Sequence, residues 1–223
     1  NVSMKYKNTI KYNILQKIRD DGPASHLIKN KTPTMGGLFI IPIIFLMVLF
    51  FDIPSFALKI NLLITIAGFF FIGITDDYLS IKNRLNLGLK SHEKFFLQII
   101  ITSFFLIFLL NSNLLNPSIN LLNKNQINFE ILAFPISLIT IVGLSNAVNL
   151  TDGLDGLASG CSSIVFCGLG TEILLNGDKN LIIFSLLSFT MSGLCLGFLK
   201  HNKYPAKIFI GDTGSLSIGG LIG

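Results

Sequence analysis

The stretch from Ile60 to Thr75, INLLITIAGFFFIGIT, has no charged residue and runs straight into two adjacent aspartates, Asp76 and Asp77. A membrane helix needs about 20 mostly apolar residues to cross a hydrocarbon core of roughly 30 Å, and this run nearly fills that length. On either side of it lie further runs of the same kind: Met35 to Phe51, Phe95 to Leu110, Ile131 to Val148, Leu157 to Leu175 and Asn180 to Leu199. Another begins after Gly214 and is still apolar at Gly223. The chain of 223 residues is 51% hydrophobic and 13% charged, with a mean hydropathy of +0.68. Soluble domains carry about 25% charged residues, so a soluble globular domain is excluded. The reading predicts an all-α polytopic transmembrane protein with about six complete spans plus the start of a seventh. Residues 1–223 are read as one integral membrane domain, and an opening at Asn1 with an unfinished apolar run at Gly223 leads us to expect it to be incomplete at both ends.

Lysine and arginine counts orient the spans, because short cytoplasmic loops keep the excess of positive charge. Residues 1–34 carry Lys5, Lys7, Lys11, Lys17, Arg19, Lys29 and Lys31, and the loops two and six spans further on carry Lys82, Arg84, Lys90 and Lys94, then Lys200, Lys203 and Lys207. The intervening loops hold only Lys59, Lys124 and Lys179. Residues 1–34 are therefore placed in the cytoplasm. No secretory signal pattern is visible in that polar, basic segment. All polar clusters of unusual composition then fall on the cytoplasmic side, as expected of an enzyme joining a soluble substrate to a lipid head group. A transporter would be expected to place its polar residues near the bilayer midplane.

Asp76 and Asp77 repel one another, so such a pair usually has a cation or a proton to share. A solvated helix end is the plainer alternative, but acidic residues at a helix C-terminus oppose the macrodipole. Asn146, Asn149, Asp152 and Asp155 recur every three residues, which on a regular helix spreads them over about 180°. Gly153 and Gly156 are expected to bend the backbone there and let them converge on a ligand. In Gly211-Asp212-Thr213-Gly214-Ser215 an acidic residue is flanked by glycines at the head of an apolar run. Thr213 or Ser215 is a candidate helix cap, and the amides behind it a candidate anion site. Together these clusters suggest diphosphate chemistry with Mg²⁺, which favours a few carboxylates plus phosphate oxygens. Lys29, Lys31, Lys90 and Lys94 are candidates to neutralise the remaining phosphate charge. Cys161, Cys167 and Cys195 lie inside apolar runs and read as packing residues, and His26, His92 and His201 lack metal-ligand spacing.

The ordered words Asp21-Gly22-Pro23-Ala24-Ser25-His26, Thr32-Pro33-Thr34-Met35-Gly36-Gly37, Asp76-Asp77-Tyr78, Asn146 to Ala158 and Gly211 to Leu216 resemble the phospho-N-acetylmuramoyl-pentapeptide transferase family. The first two words favour it over the related polyprenyl-phosphate N-acetylglucosamine-1-phosphate transferases. The resemblance implies an all-helical fold of about ten spans, commonly dimeric, in the bacterial inner membrane, with its active site on the cytoplasmic face. The implied reaction moves phospho-MurNAc-pentapeptide from its UDP carrier to undecaprenyl phosphate, giving lipid I and UMP, an early step of peptidoglycan synthesis; nucleic acid is not among the expected partners. It assigns catalysis to Asp76, Asp77 and Asp212, with Asp76 the candidate base, and Mg²⁺ to Asp212 and Asn149. It assigns substrate binding to Lys29, Thr34, Asn146, Asn149, Asp152, Asp155 and Phe209, the last a candidate to stack on uracil. Lys31 and Ser80 depart from the family's usual glycine and lysine. The family's histidine-rich loop belongs to a later segment, so this chain alone is expected to be inactive. A non-catalytic membrane scaffold or transporter is the rival from another class.

Overall fold

The computed structural model describes residues 32–83, 88–112, 118–120, 126–128, 130–177 and 181–223. Each predicted run becomes a helix: α1 (Gly37–Phe50), α2 (Phe56–Asn83), α3 (Ser91–Asn111), α4 (Glu130–Thr151), α5 (Leu157–Leu175), α6 (Ile182–Asn202) and α7 (Asp212–Ile222). Between α3 and α4 the chain forms a hairpin, β1 (Ser118–Asn120) antiparallel to β2 (Gln126–Asn128), with Ile119 opposite Ile127. This small departure from an all-helical chain falls in the connection between α3 and α4.

Among the described residues, α2 to α6 are long and apolar enough to cross a membrane. The protein is thus an integral membrane protein of polytopic, helical build. Helix α1 differs from the expected full span, for its 14 residues reach only about 21 Å at 1.5 Å per residue. The reason lies just before it. Gly36 and Gly37 donate their amides to the Phe209 and Ile210 carbonyls at 2.9 and 2.8 Å, and Phe209 donates to the Pro33 carbonyl at 2.9 Å. Residues 33–37 are therefore committed to pairing with 209–210, and helix begins only beyond them.

Helix α2 departs the other way. It continues past Thr75 to Asn83, so Asp76 and Asp77 lie within the helix rather than at its C-terminus. The macrodipole reasoning applied to the pair does not hold; what keeps them there has to be sought in their partners.

Helix α7 packs between α2 and α4, while α5 and α6 pair with one another and α6 also packs on α1. One apolar core joins Ile40, Ile44, Ile66, Phe166, Met191 and Ile218, and a second joins Phe69, Leu106, Ile141 and Leu216. Both hold α7 by residues with no exposure, Ile218 and Leu216. The approach of α2 to α7 is close enough that a Cβ on Gly73 would sit 2.2 Å from the Asp212 carbonyl oxygen. No residue larger than glycine fits there, and this contact brings the aspartate pair alongside the start of α7.

Candidate active site at the end of the bundle

Asp77 is buried and accepts three hydrogen bonds from the first turn of α7. They come from the Asp212 amide at 3.2 Å, the Thr213 amide at 2.9 Å and the Thr213 hydroxyl at 2.6 Å. Amides of a helix's first turn have no partner inside the helix, and an acidic side chain that accepts from them is favoured by the macrodipole as well. Asp77 thus caps a different helix from the one that carries it. The cap expected from Thr213 or Ser215 is not formed: the Ser215 hydroxyl donates to the Gly211 carbonyl at 2.9 Å. With those amides taken, the expected anion site at the head of α7 is also filled by Asp77.

Gly211 makes the arrangement possible. Its φ of +74° is one that residues with a Cβ rarely adopt. A Cβ there would also meet Asp77 Oδ2 and Thr34 Oγ1 at 2.6 Å. Thr34, itself buried, therefore packs against the Gly211–Asp212 bend.

Asp76, one position earlier on α2, faces a different set of partners. Its Oδ1 accepts from the Leu89 amide at 3.0 Å and forms an ion pair with Lys94 Nζ at 3.0 Å. The same ammonium is ion-paired to Asp212 Oδ2. Asp212 Oδ1 accepts from Asn149 Nδ2 at 2.6 Å, and Asn149 Nδ2 also donates to the Ser215 hydroxyl at 2.9 Å. Asp76, Asp77 and Asp212 each offer a carboxylate oxygen within 4.8 Å of the others. Asp212 is the most open of the three, its side chain 21% exposed, whereas Asp76 and Asp77 are both buried, at 8% and 7%. Three carboxylates share one lysine, so negative charge is left over, and the surplus is carried on hard oxygen atoms. That donor set fits a small divalent cation. Asn149 meets Asp212 through its amide nitrogen, which cannot ligate a metal, so in this structure it orients Asp212 instead.

The other expected site residues separate. Asn146 turns to α3, donating to Gln98 Oε1 at 2.6 Å and to the Val142 carbonyl at 2.8 Å. Asp152 accepts from the Gly211 amide at 2.7 Å and the Ile210 amide at 3.3 Å. Burial pushes its carboxyl up to about 8, a rise to which Asp77 and Asp212 add and which the two amide bonds oppose. Asp155 accepts from the Ala206 amide at 3.0 Å. The bend after α4, with Gly156 at φ +76°, forms as expected, but it aims Asp152 and Asp155 at the backbone of 206–211 and only Asn149 at the acidic cluster. Phe209 is 2% exposed, its ring packed inside. Lys29 lies outside the described residues, as do Lys31, the Asp21 to His26 word and residues 1–31 in general.

Lys94 holds the centre of the site, whereas the sequence had offered it only as one of four lysines. The missed signal is a four-residue spacing, Lys94-Gln98-Thr102, in an otherwise apolar helix, which places all three on one face. Asn202 also went unnoticed. It is fully buried, accepts from the Gly156 amide at 3.1 Å and the Ser159 hydroxyl at 2.9 Å, and donates to the Ile208 carbonyl at 2.9 Å.

Residues 59–223 match the family model of glycosyl transferase family 4, a stretch that includes all three clustered aspartates. The chain belongs to glycosyl transferase family 4. Within it, residues 29–41 match the phospho-N-acetylmuramoyl-pentapeptide-transferase signature 1, the segment of α1 and its approach that pairs with Phe209 and Ile210. Curated relatives of this family 4 chain carry the same name. It is 56% identical over 214 residues to the phospho-N-acetylmuramoyl-pentapeptide-transferase of Prochlorococcus marinus strain MIT 9301, covering 96% of this chain and 60% of the relative. It is 58% identical over 215 residues to that of strain MIT 9312, with the same coverage. To the protein of that name from Clostridioides difficile strain 630 it is 42% identical over 217 residues, covering 95% of this chain and 65% of the relative. The chain thus spans about three-fifths of the length of the Prochlorococcus relatives it matches.

Proposed function

We propose that the full-length protein is a phosphoglycosyl transferase that moves phospho-MurNAc-pentapeptide from UDP to undecaprenyl phosphate, releasing UMP and giving lipid I. The observation that carries this reading is the meeting of Asp76, Asp77 and Asp212 with Lys94 and Asn149 at one end of a membrane bundle. Phosphoryl transfer needs little covalent chemistry from a protein; it needs positioning and neutralised charge. The lysine counts support a cytoplasmic orientation of that end, and the family supports the bacterial inner membrane as its location. The signature over residues 29–41 and the relatives' shared name support the muramoyl-pentapeptide substrate.

In this reading Asp212, the most exposed of the three acids, would hold Mg²⁺ next to buried Asp76; the ion when bound neutralises the diphosphate charge. Asn149 keeps Asp212 turned toward the site, and Asp77 fixes the backbone that presents it. Lys94 offers the fixed positive charge between the two acids. Asp76 accepts the proton of the incoming lipid phosphate. Thr34, Asn146 and Phe209 shape the walls, Asp152 and Asp155 hold the 206–211 backbone beneath the nucleotide, and Lys29 is a candidate to bind the substrate by its charge. The protein acts as a homodimer.

The test offers purified full-length protein UDP-MurNAc-pentapeptide or UDP-N-acetylglucosamine together with undecaprenyl phosphate, with and without Mg²⁺. Magnesium-dependent UMP release with the first nucleotide is expected; release with UDP-N-acetylglucosamine alone would overturn the substrate, and none with either the enzyme class. The 223-residue chain by itself is expected to release none.

A further inference from the structure

Three buried polar atoms along α3 have no hydrogen-bond partner among the described residues: Gln98 Nε2, Thr102 Oγ1 and Asn61 Oδ1. Gln98 and Thr102 have no exposure and Asn61 has 3%. All three lie within spans, where hydrocarbon offers no substitute partner and an unsatisfied group is costly. Their placement is regular. Gln98 and Thr102 are one turn apart on α3, about 6 Å along its axis, and Asn61 reaches the same helix from α2 by donating Nδ2 to the Phe105 carbonyl at 3.3 Å.

Thr102 is unusual among the threonines of these spans. Thr65, Thr75, Thr140, Thr171 and Thr190 each return their hydroxyl to the carbonyl four residues back, at 2.7 to 2.9 Å. That local bond is the default for a hydroxyl inside an apolar helix. Thr102 does not make it. The orientation of Gln98 is fixed too: its Oε1 accepts from Asn146 Nδ2, which is held by its second bond to the Val142 carbonyl, so Nε2 must be the end left over.

We propose that Gln98, Thr102 and Asn61 line an internal hydration site between α2 and α3, adjoining the Gln98–Asn146 link to α4 and one turn from Lys94. The orphan set suits water. It comprises an amide donor, a carbonyl acceptor and a hydroxyl that serves as either; Phe105, where Asn61 is anchored, lies about 10 Å along α3 from Gln98, so separate waters linked through Thr102 accept from Gln98 and donate to Asn61. A metal cation would face the Gln98 N–H groups, and an acyl chain would satisfy none of the three. Buried waters commonly make about three hydrogen bonds to polar groups that would otherwise go unpaired. This inference stands apart from the transferase reading, since it concerns the interior of the bundle and no reacting group.

The test is the sign of a substitution in full-length protein in lipid nanodiscs. Thr102→Val keeps the shape and deletes the hydroxyl. If the hydroxyl binds water, Tm falls by about 2–4 °C; if it is a dry orphan, Tm rises or stays level and the site is refuted. Gln98→Leu lowers Tm as well, and the double variant loses less than the two single losses together, because the groups share water; strict additivity would count against sharing. Should Thr102→Val not fold, a high-resolution density map of the wild-type protein decides: ordered water between Gln98 and Thr102 upholds the site, and direct packing of the two side chains ends it.

Discussion

The end of the bundle around Asp212 and the α5–α6 pair both bury polar groups inside an apolar protein, and they do so by different means. Between α5 and α6 the Ser163 and Ser192 hydroxyls lie 3.1 Å apart and are bonded to one another's backbone carbonyls at 3.0 and 2.9 Å, and the Ser185 hydroxyl donates to the Gly170 carbonyl at 2.6 Å. Each bond is neutral, complete and local to the two helices. At the bundle end, three carboxylates and one ammonium are drawn from α2, α3 and α7, and the charges do not balance. Small residues and hydroxyls are what membrane helices use to approach closely. An unbalanced charge cluster serves no such purpose and is costly to keep. The contrast separates architecture from chemistry without reference to any relative.

Substitutions in the two regions should therefore differ by orders of magnitude. Asp212→Asn in the full-length protein is expected to lower UMP release about a thousandfold with little change in Tm, since its backbone bonds to Asp77 and Asn149's place beside Ser215 survive; unchanged release would remove Asp212 from the site. Lys94→Met leaves Asp76 and Asp212 facing one another with no counter-charge. Turnover is expected to fall by about 10–100-fold, and a variant as active as wild type would show that the ion pairs are structural only. Asp77→Ala strips the cap from α7 and should destabilise the fold by about 1–2 kcal/mol. Its loss of Tm should exceed that of Asp76→Asn, and the reverse order would break the division between the acid that caps α7 and the acid that pairs with Lys94. The smallest effect belongs to the other region: Ser163→Ala with Ser192→Ala is expected to cost about 0.6 kcal/mol per bond and to leave turnover within twofold, measured on the folded fraction.

The helices were legible because hydrocarbon imposes a single requirement, length of apolar sequence, and the runs from Phe95, Ile131, Leu157 and Asn180 each became one helix. The ends were less so. Helix α1 came out short because Gly36 and Gly37 are engaged by Phe209 and Ile210, residues far away in sequence whose pull no local pattern reveals. Asp76, Asp77 and Asp212 stand out in the sequence as acidic clusters, the family resemblance groups them as one site, and they do meet. What each one does was hidden, because adjacent carboxylates look alike in sequence and only the helix opposite tells them apart: α7 takes Asp77, and Lys94 takes Asp76. Asn149 and Asp152 show the same limit. They stand three residues apart, and one turns to Asp212 while the other turns to the backbone that leads into it.

The cap that Asp77 places on α7 spans 135 positions of sequence, and this gives the site a history as well as a shape. At about 5–20 residues per second of synthesis, Asp77 is made roughly 7 to 27 seconds before the amides it accepts from. Over that interval Asp76 has Lys94 within reach, but Asp77 has no amide to accept from until Asp212 and Thr213 emerge. Helix α7 is thus the one that gives Asp77 its partners, so insertion of α7 and assembly of the acidic cluster are a single event in the life of the nascent chain.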